Sequence, residues 1–139
     1  MSLVVVDASV AVKWFRPEHG ESLVNQALAL LDALDREEAQ FVVPDLFYAE
    51  TASAIWKAVR VGRVPRTFGD QALLLLTERR FRAVPSLKLL DTVFQIATAH
   101  GPSVSDRLYV ALAVQTNSQL IPADERLANS LAARFRVKW

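Results

Sequence analysis

Four acidic residues of this chain stand at equivalent places, either just after an apolar run or early in a helical pattern: Asp7, Glu50, Asp106 and Asp124. In open α/β sheets the carboxyl ends of parallel strands share one edge, and ligands collect there. We therefore expect these side chains to face one crevice. The chemistry of such a crevice would be that of clustered carboxylates.

Each acid also has a structural interpretation when it is taken alone. Asp106 closes a segment, residues 103–106, that matches a capping box with Asp in place of Glu, and Asp124 suits a helix N-cap. Glu50, on a helix flank, is of a kind that is ordinarily solvated. Asp7 is harder to explain by structure alone, because a charge at the end of a buried strand is costly unless it is paired.

If the four carboxylates converge, they need protons or cations to hold them together. Two like charges about 4 Å apart repel by about 4 kcal/mol at an effective dielectric constant near 20. Oxygen ligands favour hard divalent ions, so we expect Mg²⁺ or Mn²⁺ rather than zinc. Such an ion with open coordination positions commonly acts on phosphate, which predicts metal-assisted phosphodiester hydrolysis.

The elements that would position these acids alternate between strand and helix. Residues 3–6 are all apolar and predict a strand buried on both faces, and further strands are predicted at residues 41–43, 81–84 and 120–121. Helical patterns follow at about residues 8–15, 21–36, 45–59, 65–76, 87–99, 103–113 and 124–133, with a last short strand from Val137. This alternation predicts an α/β fold, a three-layer α/β/α sandwich with a mainly parallel central sheet.

Several residues are expected to begin or end these helices. Asp45 is a suitable N-cap, Gly62 a stop signal, and Pro65 a first residue for the next helix. The leucines at 73–76 make that helix apolar nearly all round, so we expect it to be sandwiched, partly by another copy of the chain.

Composition indicates one globular domain over residues 1–139, with 52% hydrophobic and 22% charged residues. The chain contains no cysteine, which excludes disulfides, thiolate metal sites and a cysteine nucleophile, and makes the cytoplasm the expected location. No apolar stretch suits a membrane span or a signal peptide. A net charge of +1 means that any polyanion must be bound by local clusters of cations.

The segments that carry the acids form a recognisable set. They are Val-Val-Val-Asp-Ala-Ser at 4–9, Tyr-Ala-Glu-Thr-Ala at 48–52, Ser-Asp-Arg-Leu-Tyr-Val-Ala-Leu-Ala at 105–113 and Ala-Asp-Glu-Arg-Leu at 123–127. Together they resemble the PIN-domain family, and within it the VapC-type toxins of bacterial and archaeal toxin–antitoxin pairs. The resemblance covers essentially the whole chain and keeps the order and spacing of all four acids.

This resemblance implies a Mg²⁺- or Mn²⁺-dependent endoribonuclease, usually dimeric, that is inhibited by a small antitoxin whose tail enters the active-site groove. Asp7 and Asp106 would ligate the metal directly, and Glu50 and Asp124 directly or through water. Ser9 would orient Asp7 or a metal-bound water. Two features depart from the family pattern: Ser105 and Arg107 flank the third acid where Tyr or Thr and Ala are common, and Pro122 replaces a small hydroxyl residue.

Contacts to RNA are expected from cations that flank the acid-bearing segments, because phosphate contacts come mostly from Lys and Arg. The candidates are Lys13, Arg16, Lys57, Arg60, Arg63, Arg66 and Arg107. Trp14 and Trp56 lie among apolar neighbours at helical spacing, so we assign them to the core or to a partner interface rather than to base stacking.

Two other functions remain open on the sequence alone. The chain could be a nuclease of the same fold that processes ribosomal RNA or cuts DNA. It could also be an inactive binding module that keeps its acids for structure, or for docking a partner that carries arginine. An aspartyl-phosphate phosphatase is disfavoured, because Ser9 occupies the place where a second Asp would be needed.

Overall fold

A parallel sheet forms the centre of the fold in the computed structural model, which describes residues 2–15, 24–79, 81–96 and 104–121. Within these residues the strands are β1 (Ser2–Val6), β2 (Ala39–Pro44), β3 (Arg82–Val84) and β4 (Gln119–Ile121). Their order is β3-β2-β1-β4, and every neighbouring pair is parallel. The apolar run of β1 is buried in the middle of this sheet, as its lack of alternation predicts.

The helices of the described residues pack as two groups. They are α1 (Ala8–Phe15), α2 (Val24–Asp35), α3 (Leu46–Arg60), α4 (Arg66–Glu78), α5 (Leu90–Ile96) and α6 (Val104–Thr116). α1 packs against α2 and α3, and α3 against α4, whereas α5 packs against α6, which lies on β1 and β2. The chain passes from β1 to β2 to β3 and then returns beyond β1 to β4, so right-handed crossovers put the two groups on opposite faces. The predicted three-layer α/β/α sandwich is confirmed.

An aromatic cluster fixes α1, the helix that follows Asp7, against the sheet. Trp14 stacks on Phe41 of β2 with ring centroids 5.8 Å apart, and Phe81 contacts both rings. The indole Nε1 of Trp14 donates a hydrogen bond of 2.8 Å to the carbonyl oxygen of Ala27 in α2. A buried indole that satisfies its N–H is a typical core residue. Trp14 therefore belongs to the core, as expected, whereas Trp56 is 56% exposed.

The ends of three helices share one hydrogen-bonding pattern. After α3, Gly62 has a φ of +78°, its amide donates to the carbonyl of Val59, and the amide of Arg63 donates to that of Ala58. This arrangement is a Schellman motif, and it confirms Gly62 as the stop signal. Glu37 and Asn117 take the same left-handed conformation after α2 and α6 without being glycine, so the sequence pattern did not mark them.

Two local predictions were wrong in detail. Asp45 stands at the N-cap position of α3 but caps nothing with its side chain; instead Oδ1 accepts hydrogen bonds from the amide and hydroxyl of Ser86 at 3.2 and 2.5 Å. The helix expected at 87–99 is a 3-10 turn (Ser86–Leu89) followed by α5. The helix expected at 124–133, the strand from Val137 and residues 21–23 and 97–99 lie outside the described residues.

The apolar face of α4 is only partly covered within one chain. Ala72 and Leu76 are buried, but Leu73 is 40% and Leu74 58% exposed. The described residues therefore cover this helix in part, and its coverage by another copy of the chain stays a prediction. Of the helices in the described ranges, none combines the length and the hydropathy that crossing a bilayer requires.

Candidate active site

Asp7 lies at the end of β1, the strand at which the order of the strands in the sheet reverses. It follows β1, and its amide donates a long hydrogen bond of 3.4 Å to the carbonyl of Ile121 at the end of β4. From β1 the chain moves to β2 on one side, whereas β4 lies on the other side. This is the topological switch point at the carboxyl edge, where α/β proteins bind their ligands.

The carboxylate of Asp7 also caps α1. Its Oδ1 accepts a hydrogen bond of 3.2 Å from the backbone amide of Ser9, and its carbonyl accepts one of 2.9 Å from the amide of Val10. N-cap bonds of this kind typically contribute about 0.5–2 kcal/mol to stability. Ser9 therefore helps to orient Asp7 through its main chain, and a role for its hydroxyl stays a prediction.

Glu50 and Tyr109 connect the two helical layers at the same edge. Glu50 lies in the second turn of α3 and is half-buried, and Tyr109, on α6, is 2% exposed. The hydroxyl of Tyr109 donates a hydrogen bond of 2.7 Å to Oε1 of Glu50. A helix on one face of the sheet thus reaches the acid that is carried by a helix on the other face.

The electrostatics of Tyr109 show that Asp7 belongs to the same neighbourhood. Burial is the largest cause that raises the pKa of Tyr109, the hydrogen bond to Glu50 raises it further, and the charges of Asp7 and Glu50 add to the effect. A hydrogen bond with the backbone of Ala8 acts in the opposite direction on this pKa. The phenol therefore stays protonated at neutral pH and can donate a proton to its acceptor. Glu50 thus binds this hydroxyl, and Asp7 is close enough for its charge to act on it.

The structure describes less of the other two acids, Asp106 and Asp124. Asp106 is the third residue of α6, one helical turn before Tyr109, but its side chain is outside the described part of the structure. Asp124 follows the end of β4 by three residues and lies outside the described residues altogether. Within the described ranges, no three Asp, Glu or His side chains form a group that could hold a metal ion. The convergence of all four acids stays a prediction.

The donor atoms present at this edge suit a hard cation. Asp7 and Glu50 supply carboxylate oxygens, and the chain has no cysteine that could offer sulfur. Two carboxylates that share a site favour a bound positive charge. Oxygen donors select Mg²⁺ or Mn²⁺ over zinc, so the residues fit the divalent ion that the sequence predicts.

Two of the predicted RNA-contacting cations lie along the solvent side of α3. Lys57 and Arg60 are both exposed, and Lys57 follows Glu50 by two helical turns. A groove of about 550 Å³ borders this helix and is lined by Ala54, Lys57, Ala58, Val61 and Arg63. Residues 50, 54, 57 and 61 share one helical face, so the groove lies on the side of α3 that also carries Glu50.

The remaining cations differ in their surroundings. Lys13 is only 5% exposed, because α1 packs against both α2 and α3, and it already takes part in a polar or charged interaction. It is therefore not a cation on the rim, and that expectation is corrected. Arg107 is half-buried next to Asp106, and Arg16 lies outside the described residues. Arg66 is paired with Asp70 at 3.2 Å.

The contact between Tyr109 and Glu50 was not predicted from the sequence. The ring of Tyr109 is buried. The available signal was that a buried tyrosine needs a hydrogen-bond partner for its hydroxyl. That signal says that a partner exists but does not identify it, since Glu50 precedes Tyr109 by 59 residues.

Known proteins resemble this chain over nearly its whole length. Ribonuclease VapC3 of Pyrobaculum aerophilum is 28% identical over 132 residues, which cover 94% of this chain and 95% of that protein. VapC20 of Mycobacterium tuberculosis, described as a toxin that cleaves the sarcin-ricin loop, superposes with a TM-score of 0.64 at 15% identity and 95% coverage of both chains.

VapBC2 of Rickettsia felis, solved with a DNA fragment from its promoter, has a TM-score of 0.61 at 12% identity, covering 99% of this chain and 98% of that one. These likenesses show the fold. The profile of the PIN domain family matches residues 4–130, which include the four predicted acids. The chain therefore belongs to the PIN domain family.

Proposed function

We propose that this chain is a metal-dependent endoribonuclease that hydrolyses RNA phosphodiester bonds as the toxin of a toxin–antitoxin pair. The observation that carries the proposal is the hydrogen bond from Tyr109 to Glu50 beside the switch point of the sheet, within range of the charge of Asp7. Membership of the PIN domain family and the ribonuclease name of the relative from Pyrobaculum aerophilum support it.

In this proposal Asp7, Glu50, Asp106 and Asp124 hold Mg²⁺ or Mn²⁺. A divalent ion bound by carboxylates supplies a Lewis acid for phosphate and makes a nucleophile available from water at neutral pH. The chain's own contribution is to present charged oxygens in fixed positions. The amide of Ser9 orients the carboxylate of Asp7, and packing of α1 through Trp14 holds that amide in place.

The proposal predicts that the purified chain cleaves single-stranded RNA with Mg²⁺ or Mn²⁺ and loses this activity in EDTA. Readdition of the metal should restore cleavage, because the acids and not a covalent group hold the ion. The measurement is gel analysis of matched RNA and DNA oligonucleotides under identical conditions. Cleavage that persists in EDTA would contradict the metal dependence, and equal cleavage of DNA would favour the alternative of a nuclease that is not specific for RNA.

We propose that the RNA follows the groove along α3, with Lys57 and Arg60 as phosphate contacts and Arg107 nearer to the acids. Arg16 is also proposed as a contact, because it follows the segment that carries Asp7 in the sequence. The support is the exposure of Lys57 and Arg60 on the helix that carries Glu50, and the basic lining of the groove by Lys57 and Arg63. Lys57 is about 10 Å along the helix axis from Glu50 at 1.5 Å per residue.

Lys57→Gln should weaken RNA binding and raise KM while leaving kcat nearly unchanged. Each lost phosphate contact should also make the dependence of affinity on salt less steep by about 0.7 in the logarithmic slope for single strands. Fluorescence anisotropy of a labelled RNA over a salt series measures both. The matched control is Lys88→Gln, an exposed lysine of the 3-10 turn; an equal effect of both variants would mean that the groove has no special part in binding.

We also propose a small antitoxin partner and a homodimer. The solved VapBC2 assembly supports the first. For the second, Leu87, Leu90 and Phe94 recur at helical spacing along the 3-10 turn and α5 and are 80%, 39% and 70% exposed. Apolar surface of this kind commonly marks a protein interface. Light scattering after size exclusion tests the dimer, and a monomeric mass would contradict it.

A further inference from the structure

We infer that Tyr109 is a positioning residue that holds the Glu50 carboxylate in the orientation needed to bind the divalent cation. This inference rests on the proposed function and deepens it. The hydroxyl of Tyr109 lies 2.7 Å from Oε1 of Glu50. The bond engages Oε1, so the second oxygen of the carboxylate, Oε2, can turn towards a cation.

The side chain of Glu50 needs such a restraint. Glutamate has a flexible stem that loses considerable rotamer freedom when it is ordered, and Glu50 is only half-buried, so packing alone confines it less than a core residue. Partners that hydrogen-bond a ligating carboxylate fix its orientation and are a regular feature of metal sites. Tyr109 provides a donor of this kind.

Tyr109 is itself held rigidly. Its ring is 2% exposed, and α6 packs on β1 and β2 as well as on α5. The hydroxyl lies against the backbone of Ala8, the residue that follows Asp7, and within the field of the Asp7 carboxylate. One rigid donor therefore relates Glu50 on α3 to the Asp7 segment between β1 and α1.

A role in packing alone would not require the hydroxyl. Phenylalanine would fill the same apolar space, and a buried hydroxyl is costly unless it is hydrogen-bonded. The group that accepts the hydrogen of the hydroxyl is a predicted cation ligand and not a backbone carbonyl. The hydroxyl is therefore explained by what it does to Glu50.

The test is Tyr109→Phe, with Mn²⁺ affinity measured by calorimetry and RNA cleavage measured separately. We expect Mn²⁺ affinity or kcat to fall by roughly 10-fold to 100-fold, the usual cost of removing a residue that supports a metal ligand. The KM for RNA should change little, because Tyr109 is buried and does not border the α3 groove. Circular dichroism and thermal melting establish that the variant is folded.

The matched control is Tyr48→Phe. Tyr48 is a half-buried tyrosine on α3 that stacks on Phe81, and its hydroxyl hydrogen-bonds the backbone of Phe81 rather than an acid. This control removes the same atom only two residues from Glu50. It should leave Mn²⁺ affinity and kcat near the wild-type values.

A double-mutant cycle with Glu50→Ala, which removes the acceptor of the Tyr109 hydroxyl, separates positioning from a general structural effect. If Tyr109 acts through Glu50, Tyr109→Phe should have no further effect on Mn²⁺ affinity once Glu50 is replaced. Equal losses from Tyr109→Phe in both backgrounds, or from Tyr48→Phe, would overturn the inference while leaving the proposed function intact.

The metal measurement also keeps the two proposals distinguishable. If the wild-type chain binds Mn²⁺ and the cycle shows coupling between Tyr109 and Glu50, but the chain does not cleave RNA, the proposed function is overturned and the inference is supported. A chain that neither binds Mn²⁺ nor cleaves RNA would overturn both.

Discussion

Asp7→Asn is expected to lower metal-dependent RNA cleavage by about 10³-fold or more, since losing about 4 kcal/mol of charge stabilisation corresponds to that factor. Thermal stability should stay near the wild-type value. Asparagine keeps the Oδ1 acceptor for the Ser9 amide and is as good an N-cap as aspartate, so the cap is kept while the negative charge is lost. Single-turnover cleavage in Mg²⁺ and a thermal melt measure the two effects separately.

Asp45→Asn is the matched control for this prediction. Asp45 likewise follows a parallel strand, β2, at the same edge of the sheet, but its Oδ1 is held by Ser86. Asparagine keeps that acceptor too, so cleavage should be close to wild type. Full activity of Asp7→Asn would remove Asp7 from the mechanism, and an equal loss from Asp45→Asn would show that charge at the edge in general, not Asp7 in particular, is required.

Asp106→Asn should abolish cleavage to a similar extent. Asp106 stands in the first turn of α6, one turn before the tyrosine that binds Glu50. An acid at a helix N-terminus also stabilises the helix, by about 0.3–1 kcal/mol, so a small loss of stability is expected as well. Cleavage rates and denaturant unfolding of the same preparation distinguish the catalytic loss from the structural one.

α5 offers the control for this second variant. Asp91 is exposed and is likewise an acid in the first turn of a helix, α5. Asp91→Asn should therefore cost a comparable small amount of stability and leave cleavage unchanged. If Asp106→Asn behaved in the same way as Asp91→Asn, the capping interpretation of Asp106 would be sufficient.

Local patterns in the sequence predicted most elements because periodicity is a local property. The unbroken apolar run of β1, the helical spacing of α3 and the stop at Gly62 can each be recognised within one short segment. The errors arose where a distant residue competed for a side chain. Asp45 has the right type and position for an N-cap, but Ser86, 41 residues later, takes its carboxylate instead.

The burial of Lys13 also depends on residues outside its own segment. Lys13 lies on α1, most of whose residues are buried, and α1 packs against α2 and α3. Conversely, Leu74 in the leucine run of α4 is 58% exposed, although α4 packs against α3 among the described residues. A linear pattern states that a face is apolar and does not state what will cover it.

The sequence by itself determined the elements, the acids and, through the spacing of their segments, the resemblance to PIN domains. Only the tertiary structure decided that the hydroxyl of Tyr109 meets Glu50, 59 residues away, and that Asp7 lies close enough for its charge to act on the same hydroxyl. The physical reason is that propensity and periodicity act over a few residues. The order of the strands and the handedness of the crossovers bring α3 and α6 from opposite faces to one edge, and there burial favours a hydrogen bond for the Tyr109 hydroxyl.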